Sequence, residues 1–338
     1  MAIVNYTSRN WGVRFAKEAT FGTAIAVTGG TSGWITLPTQ AMPKINGDVV
    51  HEDLLLTDTN RVMDSTSLRS STINSSPTLS FATEWRRELG GHLIAAAMQT
   101  ASPGNVLDTA YAHTWTQHAT QPDFSVNAGY FYTVVLDAPI TAQDELIKSC
   151  ILQNLNIVIN PPAKGKGNLV TLEGTWWSPF AKTYAQTFAA TPSTPSTNFM
   201  NGSKFYCTVL GSTATHPIRS ARIEITNSPF IIPTGGTAAT IGFNIPFATA
   251  KLKIEAYYNS DTVALIDNAD NGTNTSITLT NGVATTSYES FVSTMVGRLT
   301  NDPLADASGN GVLNLEFDLV YASAEPISLV TTDDISTF

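Results

Sequence analysis

Charged side chains are scarce in this 338-residue chain. Asp, Glu, Lys and Arg make up 13% of it, about half the share usual in soluble domains. The charges are also unbalanced, with 27 acidic against 18 basic residues and a net charge of −9. Adhesive nucleic-acid binding needs a basic surface, so the composition argues against that class, although not against a surface that DNA slides past. Low charge is typical both of proteins covered by copies of themselves and of ordinary turn-rich β proteins.

Cysteines and long hydrophobic runs are also few. Cys150 and Cys207 form no CxxC pair and no disulfide framework. Because Cys150 adjoins a predicted strand, we expect a small core residue there. The N-terminal residues lack the apolar run of a signal peptide, and no stretch approaches the roughly 18 apolar residues of a membrane helix. The sequence predicts a soluble protein, made in a reducing compartment, with no membrane partner.

Motifs of known catalytic and cofactor sites are absent from the sequence. It contains no Walker loop, GxGxxG, HExxH or GxSxG. Among five scattered histidines only His113 and His118 are close, without a carboxylate in a metal-ligand pattern. Residues 267–272 resemble a calcium loop superficially, but Ala269 stands where an oxygen ligand belongs. We therefore predict no enzyme, with no catalytic residue, metal or cofactor.

The clearest pattern in the chain is a strand followed by a helix at residues 75–100. Residues 78–83 alternate apolar and polar side chains, which predicts a strand. The apolar side chains that follow recur every fourth residue and share one helical face; they are Trp85, Leu89, Leu93 and Ala97. Gly90 and Gly91 weaken the middle of this helix, each by roughly 1 kcal/mol relative to Ala.

Most other periodic segments alternate apolar and polar residues, which indicates strands with one wet face. We predict strands at residues 9–17, 34–37, 149–160, 168–177, 219–227, 250–258 and 312–321. Residues 124–136 are aromatic and β-like, residues 287–299 fit a second, short helix, and the segment from 323 onward is mostly polar and acidic. The fold class predicted is mainly β: an antiparallel β-sandwich with one flanking α-helix.

Two segments interrupt this pattern. Residues 47–74 are long, irregular and unusually charged, so we interpret them as a projecting arm that contacts a neighbouring subunit, against the alternative of a flexible loop. Residues 180–199 are rich in Thr, Pro and Ser and look like a linker. We predict a single domain over 1–338, with two β modules, 1–179 and 200–338, as the alternative. The charged residues of the arm are Glu52, Asp53, Asp58, Arg61, Asp64 and Arg69.

Three stretches, in this order, resemble the tail tube (major tail) proteins of long non-contractile-tailed bacteriophages. Residues 17–23, KEATFGT, are similar to the Lys-Glu-x-Thr-Tyr-Gly-Thr opening of that family. Residues 75–98 are similar to its strand and single helix, and residues 148–178 to its Gly-Cys hairpin. The chain has Ala19 at the variable position of that opening, and it departs from the family pattern at Phe21, Ser76-Pro77 and Ser149-Cys150.

The resemblance implies a tail-tube fold and a structural role. Such proteins form rings, usually of six copies, whose inner sheets join into one barrel, and the rings stack into the conduit for DNA ejection. The partners implied are further copies of the chain, a tape-measure protein, and tail-tip and terminator proteins. The location implied is the virion tail, after synthesis in the host cytoplasm. Two similar tube modules in one chain would favour a ring of three copies. Because the sequence shows no convincing internal repeat, we prefer six copies.

Four carboxylates on the polar faces of predicted strands would then line the lumen and repel DNA phosphate at short range. Lys251 and Lys253 complicate this expectation. Two alternatives stay open: another virion β protein, such as a capsid decoration or receptor-binding module, and a carbohydrate-active β-sandwich enzyme that uses two strand carboxylates. The candidate lumen residues are Glu173, Glu224, Glu316 and Asp318.

Overall fold

A computed structural model describes most of the chain, and its described residues form antiparallel β structure with a single α-helix. The described ranges are 11–30, 33–40, 43–47, 50–55, 68–73, 76–99, 105–107, 110–116, 130–140, 142–160, 169–209, 216–232, 242–244, 249–257, 271–282, 289–301, 312–321, 326–333 and residue 335.

Strands make up nearly all of the described elements. Up to the helix they are β1 (Gly12–Lys17), β2 (Ile35–Leu37), β3 (Ile45–Asn46), β4 (Val50–Leu55), β5 (Leu68–Ile73), β6 (Thr78–Glu84) and α1 (Arg87–Met98). From there to residue 209 they are β7 (Asn105–Leu107), β8 (Ala110–Thr116), β9 (Tyr132–Asp137), β10 (Asp144–Ile159), β11 (Thr171–Trp177), β12 (Thr183–Gln186), a 3-10 turn (Gly202–Lys204) and β13 (Tyr206–Val209). The remaining strands are β14 (His216–Thr226), β15 (Phe230–Ile232), β16 (Gly242–Asn244), β17 (Thr249–Tyr257), β18 (Thr275–Thr280), β19 (Phe291–Leu299), β20 (Val312–Leu319) and β21 (Ile327–Asp333).

The strands form two large antiparallel groups that share β10. The smaller group has the order β2–β1–β9–β10–β12 and uses the first half of β10. The larger group runs β3–β6–β11–β10–β14–β17–β20–β19–β21–β8–β7 and uses the second half. Among the described strands this run ends at β3 and β7, while β13 and β18 form a second connection between β14 and β19.

The change of partners along β10 occurs at an irregular point. The register with β9 shifts between Ile147 and Cys150, and Ser149 has a positive φ of 51°. A non-glycine residue in this left-handed region bends the strand, and such bulges change the strand direction. The bend lets one strand of 16 residues belong to both groups.

Helix α1 lies against the apolar side of the larger group. It contacts β10, β8, β21 and β14, and nine of its residues, from Leu89 to Met98, are buried. A helix that is apolar on almost every side is stable only in a core. Its C-terminus is fixed by Gln99, which adopts a left-handed conformation, and by Asn227, whose Nδ2 donates hydrogen bonds to the carbonyls of Ala97 and Leu152, both at 2.8 Å.

Several local predictions are confirmed by these elements. The predicted strands at residues 9–17, 149–160, 168–177, 219–227, 250–258 and 312–321 correspond to β1, β10, β11, β14, β17 and β20, and the predicted helix to α1. Cys150 and Cys207 are free thiols, and Cys150 is fully buried as expected of a core residue.

The predicted short helix at residues 287–299 is wrong, because Phe291–Leu299 is strand β19. Its burial alternates residue by residue, with Phe291, Met295 and Leu299 facing inward. Apolar side chains four residues apart share a face in a strand as well as in a helix, because four is an even number. Residues 291–299 form a strand and not a helix because they pair with β18 on one edge and with β20 and β21 on the other.

The polar segment from residue 323 onward contains a strand that the pattern did not predict. β21 pairs with β19 and β8, and it buries Thr331, Thr332 and Asp333 together with its apolar residues. Trp115 Nε1 donates a hydrogen bond to Thr331 Oγ1 at 2.9 Å. Buried polar residues at one end of the strand gave this segment the composition of a solvated tail.

Strand pairing also involves the two segments interpreted as arm and linker. Within residues 47–74, β4 and β5 form an antiparallel hairpin, so this segment is not wholly irregular. Within residues 180–199, β12 pairs with β10, and Ser193 exchanges backbone hydrogen bonds with the β2 segment through Trp34 and Thr36. Pairing of β10 with β14 connects the stretches 1–179 and 200–338.

Candidate functional site

The solvent-facing side of the larger strand group carries a row of alternating charges, which we call the charged ladder. It occupies two adjacent cross-strand rows of β11, β14, β17 and β20, and it contains all four carboxylates predicted from the sequence. Followed from one contact to the next, its members are Glu173, Arg222, Glu224, Lys253, Glu316, Lys251 and Asp318.

Strand alternation places these side chains on the exposed face. In β17, Lys251 and Lys253 are at least partly exposed, whereas Leu252 between them is fully buried. The same alternation holds on β14 and β20, where Ile223 and Leu315 are the buried neighbours of ladder residues. Burial of the apolar side of each strand therefore fixes the charged side outward.

The register of the strands brings opposite charges within contact distance. Arg222 reaches Glu173 Oε2 at 3.2 Å, across β10, and Glu224 Oε1 at 3.0 Å. Lys253 Nζ lies 3.3 Å from Glu224 and 3.7 Å from Glu316.

Lys251, the last cation of the ladder, also lies between two carboxylates. Lys251 Nζ lies 3.7 Å from Glu316 and 3.2 Å from Asp318. Each of the three cations thus contacts two carboxylates, and each of the two interior carboxylates contacts two cations.

The charges of the ladder almost cancel. Four carboxylates and three cations leave one net negative charge, so the face is less acidic than the carboxylates alone suggest. The hydrogen bond that Lys251 donates to Asp318, together with attraction by the Asp318 charge, raises the pKa of Lys251. The side chains are between 22% and 48% exposed, so salt screens each pair and single pairs contribute little to stability. The alternation of charges therefore affects what this face can bind more than it affects the stability of the fold.

An open groove of about 540 Å³ adjoins the ladder. Arg222, Lys253 and Glu316 line it together with polar residues at the ends of β10 and β20. Asn301 fixes β20 at this point, because its Oδ1 accepts a hydrogen bond from the Glu316 N–H at 2.9 Å and its Nδ2 donates one to the Asn314 carbonyl at 2.8 Å. The lining of the groove mixes these charged and polar side chains with four apolar ones, Val158, Ala221, Ile254 and Leu315.

The predicted arm residues are only partly within the described structure. Glu52 and Asp53 lie on β4 opposite Ser71 and Ser70 of β5, and Arg69 lies on β5 opposite Leu54. Arg61 and Asp64 lie outside the described residues. Among the described strands, β4 and β5 pair only with each other.

A buried carboxylate in the KEATFGT stretch was not predicted as a structural site. Glu18 is 4% exposed and accepts hydrogen bonds from Thr133 Oγ1 at 2.6 Å, from Ser149 N at 2.7 Å and from Ser149 Oγ at 2.8 Å. Ser149 Oγ in turn accepts from Gly22 N at 2.7 Å.

These bonds tie the end of β1 to the bend of β10. Burial raises the pKa of Glu18, while the hydrogen bonds from Ser149 and Thr133 act in the opposite direction. Only the position of Glu18 directly after a half-buried strand could have indicated this site in the sequence.

Of the histidine pair considered for a metal, His113 lies within the described residues. His113 is buried, and its Nε2 lies 2.7 Å from the Ile335 carbonyl and 3.4 Å from Asp333 Oδ1. His118 lies outside the described residues. The environment of His113 is that of a core side chain that joins β8 to the segment after β21.

Comparison with known proteins does not identify the chain. No protein-family model matches it, and no curated protein matches it in sequence. Within the described ranges, no helix is long and apolar enough to cross a membrane. A functional conclusion therefore rests on the residues of this chain.

Proposed function

We propose that this protein is a structural subunit of the tail tube of a long non-contractile-tailed bacteriophage. The observation that carries the proposal is the wet, charged face that crosses β11, β10, β14, β17 and β20, backed by a continuous apolar core with one helix. A face of this kind suits the wall of a water-filled conduit. The family resemblance at residues 17–23, 75–98 and 148–178 supports the same function.

In this function the charged face lines the lumen and the described sheets belong to a tail-tube sandwich. Copies of the chain, six in the preferred arrangement, form a ring in which inner sheets join into a barrel. Ring closure would cover sheet edges such as β3 and β7, and edges left open are sites of aggregation. DNA passes through the lumen without specific binding, and the chain performs no catalysis.

The hairpin of β4 and β5 supports a role in stacking one ring on the next. A two-stranded hairpin is marginally stable by itself in water. Because β4 and β5 pair with no other described strand, contact with a neighbouring subunit would supply the missing stabilisation. Glu52, Asp53 and Arg69 provide charges for that contact, together with Arg61 and Asp64 of the same segment.

The proposal also implies partners and a location. Tape-measure, tail-tip and terminator proteins would set the length and the ends of the tube. The mature location is the virion tail, reached after synthesis in the host cytoplasm.

Negative-stain electron microscopy of the purified protein across a concentration series tests this function. We expect hollow tubes, or rings that stack as concentration rises, and the images would give the ring symmetry directly. If the protein stays unassembled, assembled tail tips are added as initiators. Failure to polymerise on these tips would contradict the proposal, and a small oligomer of fixed size would favour a capsid-decoration or receptor-binding role.

A further inference from the structure

The order of charges in the ladder has a property that its composition alone does not reveal. Every cation lies between two carboxylates, at 3.0–3.7 Å from each. Arg222, Lys253 and Lys251 lie on two adjacent strands, β14 and β17, and their side chains are 37–46% exposed. Three exposed cations this close together would form a phosphate-binding patch if they were unpaired, because Lys and Arg contacts to phosphate dominate nucleic-acid affinity.

We propose that Glu224 and Glu316 act as built-in counter-ions that keep Arg222, Lys253 and Lys251 from binding nucleic-acid phosphate. The inference rests on the proposed function, in which DNA moves over this face. It assigns the two interior carboxylates a different role from general repulsion: they occupy the cations that would otherwise bind the DNA.

The physical reason is competition between tethered and free anions. A phosphate that approaches Lys253 has to displace Glu224, Glu316 or both, and these carboxylates are held beside the ammonium by the strand register. A tethered partner acts at an effective concentration that a free ligand reaches only in the millimolar range or above. General repulsion is the weaker explanation, because the whole ladder carries one net negative charge and salt screens it within about 8–10 Å.

The test uses binding of a short fluorescent DNA duplex to the full-length, unassembled chain, followed by fluorescence anisotropy. The double variant Glu224→Gln/Glu316→Gln leaves Lys253 without a carboxylate partner and gives Arg222 and Lys251 one each. We expect no measurable binding by the original chain. For the variant at about 50 mM salt, we expect the association constant K to rise about tenfold for each phosphate contacted. We expect log K to fall by about 0.9 per contact for each tenfold increase in salt.

A matched control separates release of the cations from a change in net charge. Glu145→Gln/Glu289→Gln removes the same two charges outside the ladder; Glu145 pairs with Lys182 at 3.6 Å, so this control also breaks an ion pair. We expect the control to bind DNA no better than the original chain. Adding Lys253→Gln to the Glu224→Gln/Glu316→Gln variant should remove most of the gained affinity.

Three results would overturn the inference: binding by the original chain, equal binding by the ladder variant and the control, or no gain in the ladder variant. Circular dichroism and sedimentation verify that each variant is folded and unassembled. Because the measurement uses unassembled chains, it does not depend on tube formation. Absence of tubes in electron microscopy would count against the proposed function, whereas the duplex-binding result counts only for or against the counter-ion role.

Discussion

His92 shows how a single side chain makes stability depend on pH. Part of the residue reaches the surface, but its ring packs edge-on against Phe15 and Tyr132, with centroid distances of 5.9 and 6.1 Å. Desolvation, with a smaller contribution from the nearby Lys17, lowers the pKa of His92 to about 3. The imidazole is therefore neutral in the folded protein at any pH near 7.

We expect His92 to destabilise the fold as pH falls from about 6.5 towards 3. Its pKa is lower in the folded than in the unfolded chain, so in this window the unfolded chain binds more protons and stability rises with pH. Between pH 7 and 4.5 the loss should be about 1–2 kcal/mol, allowing for the partial exposure of the residue. Urea unfolding of the original chain and of His92→Gln at both pH values measures it, because the variant lacks this titration. Equal losses in both proteins would contradict the prediction.

Within helix α1, packing rather than helix propensity determines the residue at position 90. A Cβ on Gly90 would collide with the indole of Trp85, which is 3% exposed and packs edge-on against Phe291 at a centroid distance of 5.4 Å. In an open helix, Gly→Ala stabilises by about 1 kcal/mol. Here the indole ring is rigid and enclosed, so the collision outweighs that gain.

We expect Gly90→Ala to lower the free energy of unfolding by about 1–3 kcal/mol, the usual cost of overpacking a core. Urea unfolding with linear extrapolation measures the change. The matched experiment repeats Gly90→Ala in a Trp85→Phe background, where the smaller ring should leave a much reduced penalty. If Gly90→Ala instead raised the free energy of unfolding by the roughly 1 kcal/mol expected from helix propensity, this would show that the Trp85 indole moves aside freely.

At the scale of elements, the sequence predicted strands where one face is apolar and failed where small polar residues are buried. In β19, Ser293 and Gly297 occupy inward positions, which hid the two-residue period and left only the four-residue spacing visible. In β21 the inward positions end in Thr331 and Asp333. Both strands are stabilised by partners far away in the sequence, which a local pattern does not contain.

At the scale of the whole molecule, the sequence located the members of the charged ladder but not their contacts. Alternation placed Glu173, Glu224, Glu316 and Asp318 on polar strand faces. It did not give the register that sets Lys253 beside both Glu224 and Glu316, because that register is fixed by long-range pairing of β14, β17 and β20. The prediction of an acidic face therefore did not include the ion pairs through which Arg222, Lys251 and Lys253 neutralise most of its charge.

Charge reversal in the proposed arm tests how whole molecules would stack. We expect Asp53→Lys, Arg61→Glu and Arg69→Glu each to shorten tubes or prevent stacking while leaving rings intact, because in the proposed tube this segment contacts the next ring and not the core of its own ring. Electron microscopy of ring and tube populations measures the effect. The control is Glu289→Lys, which reverses an exposed charge outside the arm. Unchanged tube length in all three arm variants would contradict the assignment.

The pairing of β8 with β21 has a consequence for the protein during its synthesis. Trp115 and its hydrogen-bond partner Thr331 are separated by 216 residues in the sequence. A ribosome that adds about 5–20 residues per second needs roughly 10–40 s to make the intervening chain. For that time the edge of β8 that β21 will occupy lacks its partner, and nascent chains on neighbouring ribosomes present the same unpaired edge. Spacing between ribosomes, or a chaperone that shields β8, would keep such edges from pairing with one another before β21 is made.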